Sequence, residues 1–371
     1  MPRLTVDLTD IAFERLKKKR KDDKREDKPW GEYIAHLIRD VHLTSSDQEM
    51  VGKATSLLLS VWLGNIGDNL PRIKSPEAKT IFDLERELVP DVVDKKKLWS
   101  EIPSIVIGAG PSIRKFNHLS TLSESRFPGF VLVSDKMLAS TLEAGVTPNR
   151  FKMVVLSLDA HPSLVPAFYQ HEIVKKWGTR LRCVLSSTVS KNTAQAVEDA
   201  GIPFYWFNPQ YDSVFGLCPT ESLTRLIMLQ TVSPTHPNGA ASFSVLGNTG
   251  SGLIMFATAF LHSSPVALIG MDMGYYEETP PSETAYWHSF KDIDPNLHKD
   301  QFKLLWCPEW GGKELKLDLV FWGYRETLLN AVKLLPPWFS LVNCTGGGSI
   351  FGDGIRCVVL EEWLRENVWL G

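Results

Sequence analysis

The chain has 371 residues, enough for about two domains, and its net charge of −3 gives no overall field that would attract nucleic acid or a membrane. Its 43% hydrophobic and 22% charged residues are ordinary for a folded soluble protein. The longest apolar runs, such as 253–261, are far shorter than the roughly 20 residues of a membrane span, and the N-terminus has no apolar signal core. These features predict a cytoplasmic protein with no membrane partner.

Cysteine usage excludes two further classes. The five cysteines are scattered, odd in number and never spaced as C-x-x-C; they are Cys183, Cys218, Cys307, Cys344 and Cys357. This pattern argues against a disulfide framework and against a zinc cluster. The cysteines are expected to be reduced thiols, as is usual in the cytoplasm.

Residues 1–45 are predicted to form a strand followed by two helices. Residues 3–8 alternate between apolar and polar, and helices are expected over 9–21 and 32–41, with a strongly basic stretch at 14–28. The order resembles that of ribbon-helix-helix modules, which implies DNA contact by a strand in a dimer. A solvated charged arm that supports homo-oligomer formation is the other interpretation. Residues 46–100 are expected to be a helical linker region.

Residues 101–275 alternate between strand and helix patterns. The predicted strands are 103–107, 129–134, 152–158, 181–186, 203–207 and 265–270, and the predicted helices are 112–123, 136–145, 164–177, 190–200 and 250–262. Such alternation predicts an α/β fold with a Rossmann-like, mostly parallel sheet and helices on both faces. Residues 276–371 are expected to be a lid and a C-terminal α/β extension: a long loop to about 310, helix 319–335, a strand feeding a glycine turn at 341–348, strand 355–359 and helix 361–367.

The first motif with chemical meaning follows the first core strand. Gly108, Gly110, Pro111 and Ser112 form a small-residue loop that leads into a helix. Glycines permit close backbone approach, and a helix N-terminus offers free N–H groups to a phosphate. Ile113 occupies the place of the third glycine of a dinucleotide fingerprint, so a dehydrogenase is not indicated, and a tight turn is the structural alternative.

Acids follow the next two strands. Ser134 and Asp135 close the second strand, where an acid can accept hydrogen bonds from a ribose or else cap the next helix. Asp159 and His161 close the third strand. Asp159 offers the carboxylate oxygens that Mg²⁺ prefers as ligands, and His161 is a candidate general base. The alternative for this pair is a helix cap with an exposed loop histidine.

Two later motifs complete the candidate site. Asn248, Thr249 and Ser251 open an apolar helix with small residues and hydroxyls, which is typical of an anion cradle or of close helix–sheet packing. Asp272 closes the last core strand and is a second candidate for metal binding or catalysis. Tyr275 is a candidate for stacking on a base or sugar, and His288 is a second candidate general base.

Together these motifs resemble a domain shared by two groups. The ordered set G-A-G-P-S, S-D, S-L-D-x-H-P, G-N-T-G-S-G and G-M-D-x-G is similar to that of the archaeal 6-hydroxymethylpterin diphosphokinases (MptE-like) and the motility accessory factors (Maf), over about residues 100–275. The tail from Asn343 to Gly348 resembles the Asn-x-Thr-x-Gly-Gly segment of the Maf group. The Maf resemblance implies a glycosyltransferase that uses a nucleotide sugar and a protein or glycan acceptor.

One departure favours the Maf group over the kinases. The kinase pattern carries two acids after the third strand, and here Ser157 stands in place of the first one. A metal clamp for a triphosphate, which the kinase resemblance implies, would then need Asp159 together with Asp272. We therefore expect glycosyl transfer first and Mg²⁺-dependent pyrophosphoryl transfer from ATP to a pterin second. A non-catalytic nucleotide-sensing or DNA-linked protein is a third interpretation.

Overall fold

The computed structural model describes residues 60–89, 102–210, 223–237, 239–280, 303–310, 312–335 and 337–367. The predicted N-terminal module over residues 1–45 and the candidate base His288 lie outside these ranges. Two helices of the predicted linker are described, α1 over residues 60–73 and α2 over Ile81–Leu88.

In the described part of the chain, nine strands form one parallel sheet, which confirms the predicted Rossmann-like α/β fold. The strands are β1 Ser104–Ile107, β2 Phe130–Ser134, β3 Lys152–Ser157, β4 Cys183–Ser186, β5 Phe204–Pro209, β6 Ser242–Phe243, β7 Val266–Ile269, β11 Leu341–Asn343 and β12 Ile355–Cys357. Their spatial order is β12-β11-β7-β1-β2-β3-β4-β5-β6. The six strands predicted between residues 101 and 275 all form, each within one or two residues of its predicted ends, and the two-residue β6 was missed.

The central strands are mostly apolar because both faces of the sheet are covered. Ile105, Ile107 and Val133 belong to one apolar cluster and Val106 and Leu132 to another, since successive side chains point to opposite faces. The first face packs against helices α3 Ser112–Lys115, α4 His118–Glu124, α5 Asp135–Glu143, α6 Leu164–Tyr169, α7 Glu172–Trp177 and α8 Lys191–Asp199. The second packs against α2, α10 Thr249–Ala259 and α11 Leu319–Leu334. Helices α9 Leu223–Gln230 and α12 Leu360–Asn367 complete the described set.

Two of the predicted helices are interrupted. The helix expected over 112–123 ends at Lys115, because Asn117 adopts a left-handed conformation with φ 51°, and it restarts at His118. The helix expected over 164–177 stops at Tyr169 and restarts at Glu172. Two helices end in a left-handed glycine, since Gly145 and Gly201 have φ of 88° and 69° and lie two residues after the ends of α5 and α8.

The long loop predicted over 276–310 was wrong in part. A small antiparallel sheet, in the order β8-β10-β9, is formed by β8 Tyr275–Tyr276, β9 Lys303–Cys307 and β10 Lys313–Leu317. Leu315 lies opposite both Tyr276 and Leu305, and the Tyr276 partner is distant in the sequence. No local sequence pattern therefore indicated this sheet. Residues 281–300 of the predicted lid lie outside the described ranges.

The C-terminal strands extend the main sheet. β11 pairs with β7 through Leu341 and Val266, and β12 pairs with β11. The helix predicted over 319–335 and the final strand and helix are confirmed. The predicted domain boundaries stay predictions. Within the described ranges, no helix is both long and apolar enough to cross a membrane.

Candidate functional site

The order of strands reverses beside β1. From β1 the chain builds β2 to β6 on one side, and it returns through α10 to β7 on the other side. Open α/β sheets bind ligands at the carboxyl end of the strands at such a point. The loop with Gly108 and Gly110 begins there, against the loop that follows β7.

The two loops are in backbone contact. The N–H of Gly108 donates to the carbonyl of Ile269 at 2.9 Å, and the N–H of Gly110 donates to that of Gly270 at 2.8 Å. A Cβ at Gly110 would overlap the Asp272 carboxylate, and one at Gly108 would lie 2.7 Å from Met271 Sδ. Both glycines are therefore required by close packing. Ala109 between them is exposed, as is Pro111.

Asp272 lies beneath this loop and is 1% exposed. Its Oδ2 accepts from the Ser112 hydroxyl at 2.7 Å, and its Oδ1 accepts from the Tyr276 hydroxyl at 2.7 Å. Burial raises its pKa, against the lowering effect of these hydrogen bonds. Both oxygens are thus bonded within the chain, and Asp272 holds the glycine loop in place while Ser112 faces inward.

The Asn343 segment covers Asp272. Asn343 accepts from the N–H of Thr345 and donates to the carbonyl of Ile350 at 2.7 Å, which bends the chain into a compact turn. The N–H of Ser349 then donates to the backbone carbonyl of Asp272 at 2.8 Å. A Cβ at Gly348 would come within 3.0 Å of the Asp272 Cα. The tail motif therefore shields the end of β7 from solvent.

Tyr275 also faces the protein interior. Its hydroxyl donates to Asp318 Oδ2 at 2.9 Å, and Asp318 caps α11 by accepting from the N–H of Phe321. Its ring contacts that of Phe321, with centroids 5.3 Å apart. The Tyr275 ring therefore packs inside the protein and is not placed to stack on a ligand, as the sequence had predicted.

Helix α10 begins at the same edge of the sheet. Asn248 caps it by accepting from the N–H of Ser251 at 2.9 Å, and Asn248 Nδ2 donates to the buried hydroxyl of Ser251. Thr249 is partly exposed at the first helical position. The sulfur of Met271 touches both Gly250 and Gly108, since a Cβ at either position would overlap or crowd it. The start of α10 and the glycine loop are therefore neighbours.

Ser134 lies at the end of β2, and its buried hydroxyl has no hydrogen-bond partner among the described residues. Alternation along β2 places Ser134 on the same face as Phe130 and Leu132, which is the face that α10 covers. Gly252 of α10 contacts Leu156 of the neighbouring strand β3. The unpaired hydroxyl thus lies on the sheet surface beside the first turn of α10.

Asp135 points to the opposite face. It is 6% exposed, accepts from the Ser157 hydroxyl at 2.7 Å and accepts from the N–H of Lys136 at 2.8 Å. Burial raises its pKa to about 6, and the charge of Asp159 acts in the same direction. Ser157, which replaces an acid of the kinase pattern, therefore serves as a donor to a buried carboxyl.

The loop after β3 is organised around Asp159 and His161. Asp159 is exposed, and its Oδ1 accepts from the N–H of His161 at 2.8 Å. His161 Nδ1 accepts from the N–H of Leu164 at 3.0 Å and from that of Ser163 at 3.3 Å, so it caps α6. Because a backbone N–H can only donate, Nδ1 is the acceptor in both hydrogen bonds. This nitrogen is therefore engaged within the loop, and only Nε2 can contact a ligand.

Asp159 and Asp272 lie too far apart to bind one metal ion together. Asp159 follows β3 and Asp272 follows β7, and β1 and β2 lie between those strands. Three strand spacings amount to about 14 Å, whereas one Mg²⁺ binds its ligands at about 2.1 Å. In the described part of the chain, no group of three or more His, Cys, Asp or Glu side chains could hold a metal ion. A two-carboxylate clamp does not fit, and a Mg²⁺ ion bound by Asp159 and substrate phosphates stays a prediction.

Tyr324 of α11 is a site residue that sequence reasoning missed. A Cβ at Gly247, directly before Asn248, would lie 2.6 Å from the Tyr324 ring. Burial raises the pKa of Tyr324, and the charges of Asp318 and Asp159 raise it further. The residue lies in a helix far along the chain, so only the tertiary fold places its ring against Gly247.

Comparison with known proteins shows a likeness to a solved structure. No protein-family model matches the chain, and no curated protein matches it. The fold is similar to that of a MAf glycosyltransferase from Magnetospirillum magneticum AMB-1, with a TM-score of 0.47 and 14% identity. The match covers 70% of this chain and 34% of that one, so the chain spans about a third of the neighbour. The pterin diphosphokinases find no support in these comparisons.

Proposed function

We propose that this chain is a transferase that binds a nucleotide-activated substrate at the carboxyl edge of β1, β2 and β7, with a nucleotide sugar as the preferred donor. The single observation that carries the proposal is the contact of the Gly108–Gly110 loop with the start of α10 through Met271, at the reversal of strand order. The first turn of α10, whose initial N–H groups have no partner within the helix, begins there beside the exposed loop tip at Ala109, which favours a phosphate group.

The chemistry would rest on charge stabilisation. Backbone N–H groups at the start of α10, with that of Ala109 at the exposed tip of the glycine loop, would stabilise the negative charge that develops on a departing nucleotide phosphate. The unpaired Ser134 hydroxyl adds a donor at the same turn. Asp159 is the exposed acid of the region and would accept hydrogen bonds from substrate hydroxyls.

Glycosyl transfer is preferred to pyrophosphoryl transfer because the acidic side chains are not arranged to share a metal ion. Asp272 is enclosed by Ser112, Tyr276 and the Asn343 segment, and Asp135 is bonded to Ser157. Neither carboxylate joins Asp159 in a metal clamp for a triphosphate, which is what transfer from ATP would require.

A thermal-shift panel tests the proposal. The probes are UDP-N-acetylglucosamine, GDP-mannose and CMP-N-acetylneuraminic acid, their free nucleotides, and ATP with a 6-hydroxymethylpterin, each with Mg²⁺. Binding stabilises the native state by mass action, so we expect at least one nucleotide sugar to raise Tm. A response to ATP and pterin alone would instead establish the kinase activity. No response to any probe, combined with salt-dependent DNA binding, would support the non-catalytic alternative.

Ala109 offers a matched pair of variants for the phosphate site. Ala109→Glu places a negative charge on the exposed tip of the glycine loop, and Ala109→Gln places a neutral side chain of the same size there. The charge would repel a bound phosphate, so we expect the Glu variant to lose the ligand-induced Tm shift and the Gln variant to keep most of it. Equal shifts in the two variants would show that no anion binds beside this loop.

A further inference from the structure

Three polar residues lie in a row across the carboxyl ends of β4, β5 and β6. The N–H of Ser187, the residue after β4, donates to the carbonyl of Phe207 at 2.9 Å, so the β4–β5 pairing continues one residue beyond β4. This pairing makes Asn208 the neighbour of Ser187 on β5, and Asn208 is in register with Ser242 of β6. We call Ser187, Asn208 and Ser242 the polar row.

Each member of the polar row has a buried side-chain atom without a hydrogen-bond partner among the described residues. These atoms are Ser187 Oγ, Asn208 Oδ1 and Ser242 Oγ. Ser187 and Asn208 are 0% exposed. The Nδ2 of Asn208 donates to the carbonyl of Ala240 at 2.8 Å, so the amide oxygen is the part of that side chain left unpaired. The row therefore presents one acceptor and two hydroxyls where bulk solvent does not reach.

Helix α1 lies on the same face of the sheet as the polar row. Two residues before the row, Leu185 of β4 and Trp206 of β5 belong to the same apolar cluster as Ile73 of α1. Side chains two residues apart on a strand share a face, so the polar row lies on the face that α1 covers.

A second residue of α1 adds a fourth unpaired atom beside the row. Asn69 Nδ2 donates to the carbonyls of Ser187 at 3.1 Å and Val189 at 2.8 Å, while Asn69 Oδ1 is buried without a partner in the described ranges. One turn earlier, Asn65 donates to the carbonyl of Thr188 at 2.8 Å. The loop after β4 is thus bonded to α1 through its backbone, and the Asn69 amide oxygen is held next to Ser187.

Four unpaired polar atoms in one buried place are energetically costly. Each loses its hydrogen bonds to water on folding and gains none in return, and the total would be a substantial part of the marginal stability of a domain. An internal water molecule makes about three hydrogen bonds to polar groups that the chain leaves unpaired. Its immobilisation costs less than the unmade hydrogen bonds, so water is retained at such places.

We propose that the space between α1 and the carboxyl ends of β4, β5 and β6 is a binding site for internal water, which bridges Asn69 and the polar row. The two amide oxygens can only accept, and each water molecule supplies two donors. A phosphate supplies acceptors and would be repelled by the amide oxygens. The side chains of the site carry no charge to balance an ion. This site is separate from the nucleotide site proposed at β1, β2 and β7.

Magnetic relaxation dispersion of the water nuclei tests the proposal, because it counts internal water molecules that exchange slowly with solvent. Ser187→Val replaces the unpaired hydroxyl by methyl groups that fill the same space, so we expect a smaller count than in the wild-type protein. Ser187→Ala removes one partner and leaves the space, so the count should stay and the residence time should shorten; this variant serves if the valine is not tolerated.

Ser186→Ala is the matched control. Ser186 is equally buried, but its hydroxyl is bonded to that of Thr188, so the count of internal waters should equal that of the wild-type protein. Unchanged count and residence time in both Ser187 variants would overturn the proposal.

Thermal unfolding in sodium, potassium and choline chloride at equal ionic strength distinguishes water from a bound cation. A water site predicts the same Tm in the three salts. A Tm raised by sodium or potassium alone, and lowered to the choline value by Ser187→Ala, would show that these oxygens bind a cation instead, and it would overturn the proposal.

Discussion

The acidic side chains at the two ends of the candidate site differ in burial and in hydrogen bonding. At the β1–β7 end, Asp272 is enclosed, and each of its oxygens receives a hydroxyl from the chain. At the β2–β3 end, Asp135 is buried with one hydroxyl donor and a raised pKa, while Asp159 is exposed on a turn. All three follow core strands in the sequence. The difference shows that position after a strand makes an acid a candidate, and the segment folded over it decides its role.

The largest expected effect on stability is at the β1–β7 end of the site, where Asp272 is enclosed. Gly110→Ala places a Cβ in overlap with the Asp272 carboxylate and 2.7 Å from the carbonyl of Gly270, so the loop must shift. We expect a loss of about 3 kcal/mol or more in the free energy of unfolding, measured by urea denaturation. Gly67→Ala is the control, since nothing lies within 4 Å of its Cβ in α1. Equal stability of the two variants would contradict the close packing of the loop.

The buried acid at the other end predicts a pH dependence. The pKa of Asp135 is raised from its ordinary 3.8 to about 6, so the folded protein binds the proton more tightly than the unfolded chain. Its contribution to stability is greatest below about pH 4, falls as pH rises towards 6 and is constant above that. A shift of this size corresponds to about 3 kcal/mol at most.

Asp135→Asn tests this dependence, because it removes the charge and keeps the shape. The variant should lose the decline between about pH 4 and 6 in denaturation curves measured at several pH values. Asp159→Asn, which changes an exposed acid after the next strand, should keep most of the decline, because burial contributes more to the raised pKa of Asp135 than the charge of Asp159 does. A wild-type curve that rises through this interval in parallel with that of Asp135→Asn would show that Asp135 is not the buried titrating group.

A smaller effect is expected from the donors to Asp272. Ser112→Ala leaves a buried carboxylate without one of its two hydroxyl donors, and we expect a loss of about 2 kcal/mol in unfolding free energy. Tyr276→Phe should cost a similar amount, because it removes the other donor. Ser120→Ala, at an exposed position of α4, is the control. If both donor variants match this control, Asp272 does not depend on these hydroxyls.

The smallest expected effect concerns the cap at His161. His161→Ala removes the acceptor of the Ser163 and Leu164 N–H groups and should cost about 1 kcal/mol. His161→Asn retains a short side-chain acceptor and should recover part of that loss. If His161 were instead a general base, both variants would lose transferase activity with unchanged stability, and that result would overturn the capping role.

Much of the fold could be predicted because its signals are local. The strands around Ile105, Val131, Val155 and Ala267 are short apolar runs, and their ends are marked by glycine or a polar residue. The glycine loop, the helix start at Asn248 and the acids after the strands were all identified for the same reason. The small sheet was not, because Tyr276 pairs with Leu315 across 39 positions of the chain.

The sequence by itself determined the alternating α/β pattern and the set of polar residues that follow its strands, since hydrophobic period and turn chemistry act over a few neighbouring residues. Only the tertiary structure decided which of those residues meet. It placed Asn343 and Tyr276 over Asp272, bonded Ser157 to Asp135, left Asp159 exposed, and brought Tyr324 to Gly247. These outcomes depend on strand order and on contacts between distant segments, and neither is encoded in any short stretch of the chain.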